Sequence, residues 1–342
     1  MRKDTAMKRL LGIFAAALLL SSVNAFAATN IKFAHGEPEK QSYGVFATMF
    51  AENLKKISNG EMNCTVFPNG VVGSEVVAGQ KVKQGTLQMA IVTAANAGSF
   101  SPCVNVLTFP YLFSGPEDIM GEKGYLRPGS AFREELARRI LADTGNMRLI
   151  AVGTNGFRLL FTKKPVTKMG DLKGIKLRLA ASPVMQRTWE AWGASAYAMA
   201  WSETFTAIQQ GVMDAFECPT NILLYNGFYP YTSHVAENLY YCPQIFLILV
   251  NERWYQKLSP DQKRFLNEAA AINELEHFAW VQAEYADVRK QLVGHGVQFH
   301  DITDVEQWKA KAIALWPDFA EMSGGKEWVE GVMRFQKTGS FK

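Results

Sequence analysis

Between Asp261 and Val293 the chain runs without a single glycine or proline. The segment opens on Ser259-Pro260-Asp261-Gln262. There Ser259 is placed to cap a helix, Pro260 suits its first position, and Gln262 completes a capping box by reaching back to the cap amide. At 1.5 Å per residue such a helix extends roughly 50 Å, longer than one α/β lobe is wide. A helix of this length must lie as a strut across more than one unit, and 342 residues are enough for two.

The units themselves read as α/β. A strand over Asn30–Ala34 is followed by the loop His35-Gly36-Glu37-Pro38, and then by a helix over Ser42–Ile57 that Asn59-Gly60 stops. Met62–Phe67 is a strand ended by the turn Pro68-Asn69-Gly70. Ser74–Gln84 reads as a helix closed by Gly85, and Leu87–Val92 as the next strand. Strands alternating with helices predict a largely parallel sheet. The unit then recurs: "QGTLQMA" (84–90) and "QGVMDAF" (210–216) each leave a helix at Gln, turn at Gly and enter an apolar strand. Ser74 and Ser202 are the expected N-caps of the two helices. Two similar lobes follow. From Val305 the tail is helical and amphipathic, with Trp308, Leu315, Trp316 and Phe319 expected to pack. Asp143-Thr144-Gly145 has the form of an aspartic-protease signature, but a second copy is lacking, and it is expected to end a helix over Ala131–Ala142.

The amino terminus is a different kind of segment. Arg2, Lys3, Lys8 and Arg9 precede the apolar run Leu10–Leu20, and Ala25-Phe26-Ala27 has the small-residue pattern of a signal-peptidase site. Residues 1–27 are therefore expected to be a cleaved signal peptide, too short in its apolar run for a comfortable membrane span. The whole chain carries 36 basic and 32 acidic residues. Without the leader's four basic residues and Asp4 these fall to 32 and 31, a net charge of +1. A near-neutral protein gives no reason to expect nucleic acid or an anionic membrane as a partner. Cys64, Cys103, Cys218 and Cys242 fit no metal-ligand spacing, so neither a metal nor a cofactor is expected; an exported chain permits disulfides, without the sequence choosing among pairings.

One short strand bears on function. In "GIKLRLAASP" (174–183), Leu177 and Leu179 face one way, so Lys176 and Arg178 face the other. Alone, that alternation fits a half-buried strand with its charged side in water. The surrounding phrases change the reading. "FPNGVVGS" (67–74), "QGTLQMA", "FPYLF" (109–113), "NGFR" (155–158), "DLKGIKLRL" (171–179), "SETFTAIQQGVMDAFECP" (202–219) and "LSPDQKRFLNEAA" (258–270) occur in this order across the chain. In this the sequence resembles the solute-binding subunits of TRAP (tripartite ATP-independent periplasmic) transporters, the DctP-like family.

The resemblance implies an α/β clamshell of two lobes with hinge-crossing strands and one long helix spanning both. Lobe I is then expected over 28–153 plus 244–278, and lobe II over 154–243 plus 279–342. It further implies a periplasmic receptor, expected to be monomeric, that captures an organic acid between the lobes and delivers it to separate membrane permease subunits. Arg178 matches the family arginine that grips the ligand carboxylate, a task suited to a planar, permanently charged fork of N–H donors. Arg158 of "NGFR" becomes a second donor. Trp201 holds the place of an aromatic against the ligand, where packing in the core is the competing role. His35, Glu75 and Thr93 fall at loop ends that meet the variable part of the ligand.

The sequence also departs from the family. Many members read Glu-Asn-Pro where this chain has Glu217-Cys218-Pro219. A thiol is a weak donor and poor acceptor beside an amide, so the carboxylate either loses a partner or takes one from Asn221 or Thr220. Tyr197-Ala198 likewise interrupts a proline pair before Trp201. An aromatic wall and a missing amide would suit a bulkier or less polar monocarboxylate. The same clamshell serving a membrane kinase or chemoreceptor as a ligand sensor is the alternative function. An enzyme is not expected, because no activated nucleophile, metal cluster or cofactor loop is visible.

Overall fold

The computed structural model describes residues 28–341, so the expected signal peptide lies outside the described residues. Two sheets organise them. The first has the order β2-β1-β3-β10-β4, built from β1 (Thr29–Ala34), β2 (Met62–Phe67), β3 (Met89–Thr93), β4 (Met147–Phe157) and β10 (Pro243–Asn251). The second has the order β11-β9-β5-β8-β6-β7, built from β5 (Leu159–Thr162), β6 (Lys176–Leu179), β7 (Ser195–Ala198), β8 (Ala215–Cys218), β9 (His234–Ala236) and β11 (Gln298–His300). In the first sheet β1 pairs in parallel with β2 and β3, and β10 runs antiparallel between β3 and β4. All nine residues of β10 are buried, as expected of a strand covered on both faces.

Both repeated helix–Gln–Gly–strand units form. Gly85 and Gly211 take the left-handed conformation, at φ 83° and 77°, that lets each helix turn back into its strand. Ser74 accepts a hydrogen bond from the Val77 amide, as a cap should. Ser202 does not: the second helix starts one residue earlier, over Trp201–Gln209, with Ala200 at the cap and no capping side chain. The Asp143-Thr144-Gly145 triplet ends its helix two residues later than expected, at Thr144, with Gly145 left-handed beyond it.

The long helix spans Pro260–Gly294, with the Ser259–Gln262 capping box formed in both directions. Its buried residues recur every three or four positions, but the stripe changes character along the way. Leu266, Ala269 and Ala270 join the core of Phe46 and Phe50 under the first sheet. Val288 and Leu292 join that of Phe216 and Phe228 beside the second. Between them the stripe is polar. Asn273 donates to the Phe46 carbonyl, Glu274 pairs with Arg133 at 2.7 Å, and His277 Nε2 lies 3.0 Å from Ser42 Oγ. The helix is thus pinned to the first lobe at its middle by directional bonds and packed against the second at its end.

Among the described residues three connections cross between the sheets: β4 to β5, β9 to β10, and β10 to β11 by way of the long helix. β4 and β5 are separated by Arg158 alone, whose backbone N–H donates to the Cys242 carbonyl on the returning segment into β10. The crossing therefore falls at Arg158, beyond the boundary expected at 153–154. The tail corrects a second boundary. Trp308 packs with Trp189 and Trp192 in the second lobe, as placed. But Trp316 and Phe319 pack on Phe109, and Trp328 and Phe335 on Phe132, in the core beneath the first sheet. The end of the chain thus returns to lobe I. An amphipathic helix buries its apolar stripe against whichever core is in reach, and periodicity carries no address. All four cysteines are free thiols.

Candidate functional site

A cavity of about 470 Å³ opens between the two sheets. On the second-lobe side, β6 and β8 deliver Arg178 and Cys218 to it, and the start of the Trp201–Gln209 helix closes the wall. On the first-lobe side come Glu37 and Tyr43 beyond β1, Glu75 at its helix start, Thr93 and Asn96 after β3, and Gln244 at the head of β10. The lobes touch at the rim, where the Ala181 amide donates to Asn96 Oδ1 and Asn226 Nδ2 donates to Gln41 Oε1.

Arg178 is only 4% exposed and forms no salt bridge among the described residues. Its Nε and Nη2 both donate to the Met199 carbonyl, at 3.1 and 2.7 Å, which fixes the plane of the guanidinium. Nη1 has no acceptor among the described residues. The Trp201 ring centroid lies 5.3 Å from Cζ, so the indole face covers the cation. Burial lowers the Arg178 pKa, because desolvation disfavours its charged form. Next to it, the Trp201–Gln209 helix starts without a side-chain cap, and Ala200, Trp201 and Ser202 line the cavity. The first-turn amides of an uncapped helix lack intrahelical acceptors and favour an anion. The absence of the expected Ser202 cap is thus part of the same wall.

Arg158 also lines the cavity, but in a different electrical state. Its Nη1 contacts both Glu217 oxygens, at 2.9 and 3.0 Å. Tyr241 donates to Glu217 Oε2 at 2.8 Å. Burial is the largest influence and opposes the charge on Arg158, yet Glu217 together with Tyr241, Cys218 and Cys242 outweighs it and holds the guanidinium pKa up. Burial pushes the Glu217 carboxyl up in its turn, with Arg158 pulling against it. The sequence pointed to Arg158 and Arg178 alike; of the two, only Arg178 is left without an anion.

The remaining expected residues divide. Cys218 lines the cavity, its thiol pushed up to about 12 by burial, and so stays an uncharged SH. Trp201 lines it too, and its ring also packs, tilted, against Phe228. Glu75 and Thr93 line it together: Glu75 Oε2 accepts from the Thr93 amide, the Thr93 hydroxyl and Asn96 Nδ2, at 2.9, 2.7 and 2.7 Å. His35 does not line it. Its ring is buried, while Gly36 and Glu37 in the loop beyond β1 reach the cavity. Asn221 does not line it either. Its Oδ1 is taken by the next backbone amide, that of Ile222, at the start of a short helix, and Thr220 is likewise off the wall. Neither residue lines the cavity beside Cys218.

Sequence reasoning missed Glu37, Tyr43, Asn96 and Gln244. Gln244 lies opposite a bulge on β4: the β10–β4 ladder shifts register between Pro243 and Ile245, leaving it across from Asn155 and Gly156. Gly156, at φ 94°, supplies the conformation the bulge needs. A lone amide heading an otherwise apolar run, "PQIFLILV" (243–250), was the available clue. Among the described residues no group of three or more His, Cys, Asp or Glu is arranged to hold a metal ion, and no helix is long and apolar enough to cross a membrane.

Two α/β lobes joined by crossing strands and a shared helix, with a receptive arginine in the cleft between them, define a clamshell binding protein. The chain matches the family model described as bacterial extracellular solute-binding protein, family 7 (DctP), over residues 33–322, and it belongs to this family of TRAP-type solute-binding proteins. A solute-binding protein of Roseobacter denitrificans is 28% identical over 306 residues, 88% of this chain and 90% of that one. The structure of a TRAP periplasmic solute-binding protein from the same organism, with bound L-galactonate, superposes with a TM-score of 0.80 at 26% identity, covering 89% of this chain and 98% of that one. The sugar acid-binding protein DctPAm of Advenella mimigardefordensis, in complex with galactonate, gives a TM-score of 0.82 at 25% identity, covering 92% and 99%. The C4-dicarboxylate-binding periplasmic protein of Rhodobacter capsulatus is 25% identical over 330 residues, 93% of this chain and 96% of that one.

Proposed function

We propose that this protein is a periplasmic receptor that captures an organic acid in the interlobe cleft and hands it to the membrane permease of a TRAP transporter. The observation that carries the reading is Arg178. A cation this buried, oriented by a backbone carbonyl and lacking an acidic partner, is energetically unfavourable until an anion arrives. A ligand carboxylate supplies that anion, and the guanidinium geometry favours it over a point-like halide. The uncapped helix beside Arg178 adds to the same positive potential. Galactonate in two structural relatives and C4-dicarboxylates in the Rhodobacter capsulatus relative support a carboxylate-bearing ligand. The short strand connections at Arg158 and into β10 suit a hinge, and closure of the lobes on the ligand would form the surface that the permease meets.

The test is a thermal-shift screen of organic acids against the wild type, Arg178→Ala and Arg178→Lys. A stabilising acid is expected for the wild type, with the shift abolished in Arg178→Ala and scarcely restored in Arg178→Lys, which keeps the charge but not the fork. Wild-type affinity persisting in Arg178→Ala would overturn the assignment.

A further inference from the structure

The outer face of the long helix departs from the pattern of a solvent-facing surface. Its buried side runs through Leu266, Ala270, His277, Val281 and Val288. At about 100° per residue, the line directly opposite runs through Ile272, Leu275, Ala279, Ala283 and Ala286. All five are exposed, Ile272 and Leu275 at 38% each. A helix lying on a protein surface ordinarily turns charged residues outward there. Here about 21 Å of the outermost ridge carries none. Exposed Glu268 precedes it and exposed Lys290 follows it. The polar residues on its two flanks turn down to the body of the protein: Glu276 accepts from Asn53 Nδ2 at 2.8 Å, and Arg289 pairs with Glu237 at 2.6 Å.

The order of residues along the ridge says what fits it. Leu275 and Ala283 lie four positions to either side of Ala279, Ile272 and Ala286 seven, and Glu268 and Lys290 eleven. Steps of four, three and four are those of a helix–helix seam, and this seam is complementary to its own reverse. With a second copy laid antiparallel about a two-fold axis at Ala279, Ile272 faces Ala286 of the other copy, and Leu275 faces its Ala283. Each large side chain thus meets a small one. Two alanines meet at the axis, where the helices approach most closely, and Glu268 faces Lys290 at both ends by symmetry. An anionic membrane offers no such match, and it would be repelled by the exposed Glu268, Glu276 and Asp287 along the same side. We propose that the outer ridge of the long helix is a self-complementary interface through which two copies of this protein pair antiparallel. The pair replaces the monomer that the family resemblance implied. No residue of the long helix lines the cavity, so both clefts remain open to ligand in the pair. A seam of a few helical turns lies at the small end of interface sizes, so the dimer is reversible, with a dissociation constant of roughly 10–100 µM.

The test is sedimentation velocity of the mature chain from about 5 to about 300 µM, spanning that range. The wild type should pass from monomer to dimer. Ala279→Glu sets two like charges together at the axis and should weaken pairing roughly tenfold or more. Glu268→Lys should weaken it about threefold, and Glu268→Lys/Lys290→Glu should return it to within about twofold of the wild type. The register has its own readout under mild oxidation. Ala279→Cys should cross-link to itself across the axis, whereas Ala286→Cys, equally exposed but facing Ile272, should not. This comparison decides the matter even where Ala279→Glu fails to fold. A wild type that stays monomeric at the highest concentration, or a dimer indifferent to Ala279→Glu, would overturn the interface. So would equal cross-linking of the two cysteine variants. Flotation of the wild type, but not Ala279→Glu, with phosphatidylglycerol vesicles would overturn it in favour of a membrane contact.

Discussion

Arg158 Nη1 and Glu217 Oε1 meet at 2.9 Å, with side chains 4% and 0% exposed, at the one residue that separates β4 from β5. The pair therefore sits where the chain passes from one lobe to the other. Removing one member leaves a buried, uncompensated charge, which is typically worth about 3–5 kcal/mol of stability. Arg158→Met should destabilise by an amount in that range, whereas the double variant Arg158→Met/Glu217→Met should recover most of the loss. Denaturant unfolding of the three proteins measures it. A double variant no more stable than Arg158→Met would show that the bond network with Tyr241, rather than charge compensation, is what the position supplies.

The same pair marks the limit of what the sequence made legible. The lobes, the repeated helix–Gln–Gly–strand units and the long helix were all readable, because each is written in local signals: caps, left-handed glycines and an unbroken helical run. Arg178 and Arg158 were both identified, but their difference was not. It depends on Glu217 forming an ion pair with Arg158 while acting on Arg178 without a bond, and pairing across strands is non-local information. Asn221 and His35 failed for a related reason. Proximity in sequence to a cleft residue does not give direction, and neither of these residues lines the cavity. Gln244 escaped because it belongs to a wholly buried, otherwise apolar strand, and nothing local says that its head lines a cavity shared with the other lobe. The tail aromatics were correctly read as buried, but no feature of an apolar stripe says which of two cores receives it.

Burial raises the Glu37 carboxyl from 4.5 to about 8, which makes a pH dependence with a definite sign. Below 4.5 the folded and unfolded chains both hold the proton, and this stabilising difference is intact. Between 4.5 and about 8 the unfolded chain releases it while the folded chain retains it, so stability falls as pH rises, approaching about 1.4 kcal/mol per pH unit for this group. His277 and His35, each held down to about 4 by burial, act on the opposite limb. There the unfolded chain takes up protons first as pH drops below 6.5, and their contribution is lost towards pH 4. Glu37→Gln removes only the first slope. The stability of Glu37→Gln minus that of the wild type should therefore increase steadily from pH 5 to pH 8 in denaturant melts. A flat difference over that range would mean that Glu37 ionises normally in the folded protein.

Cys218 is where this chain parts from the Glu-Asn-Pro pattern of the DctP-like family, and the structure makes the consequence testable. The thiol lines the cavity and stays protonated, while neither Asn221 nor Thr220 lines the cavity with it. The ligand carboxylate should therefore meet one strong donor fewer on this side of Arg178. Cys218→Asn would restore an amide N–H, and a hydrogen bond to a charged acceptor contributes about 1.5–3 kcal/mol, roughly a ten- to hundredfold gain in affinity if the amide reaches the carboxylate. The added polar atoms enter a tightly packed strand end next to Phe216 and Ile222, so a loss of apo stability of about 1 kcal/mol is expected beside the gain. Titration calorimetry of the two proteins with the same acid, paired with their melting temperatures, separates the terms. Tighter binding by a less stable protein is the expected result. Weaker binding by Cys218→Asn at undiminished stability would mean that the small thiol is itself a steric requirement, making room for a ligand that the family amide would exclude.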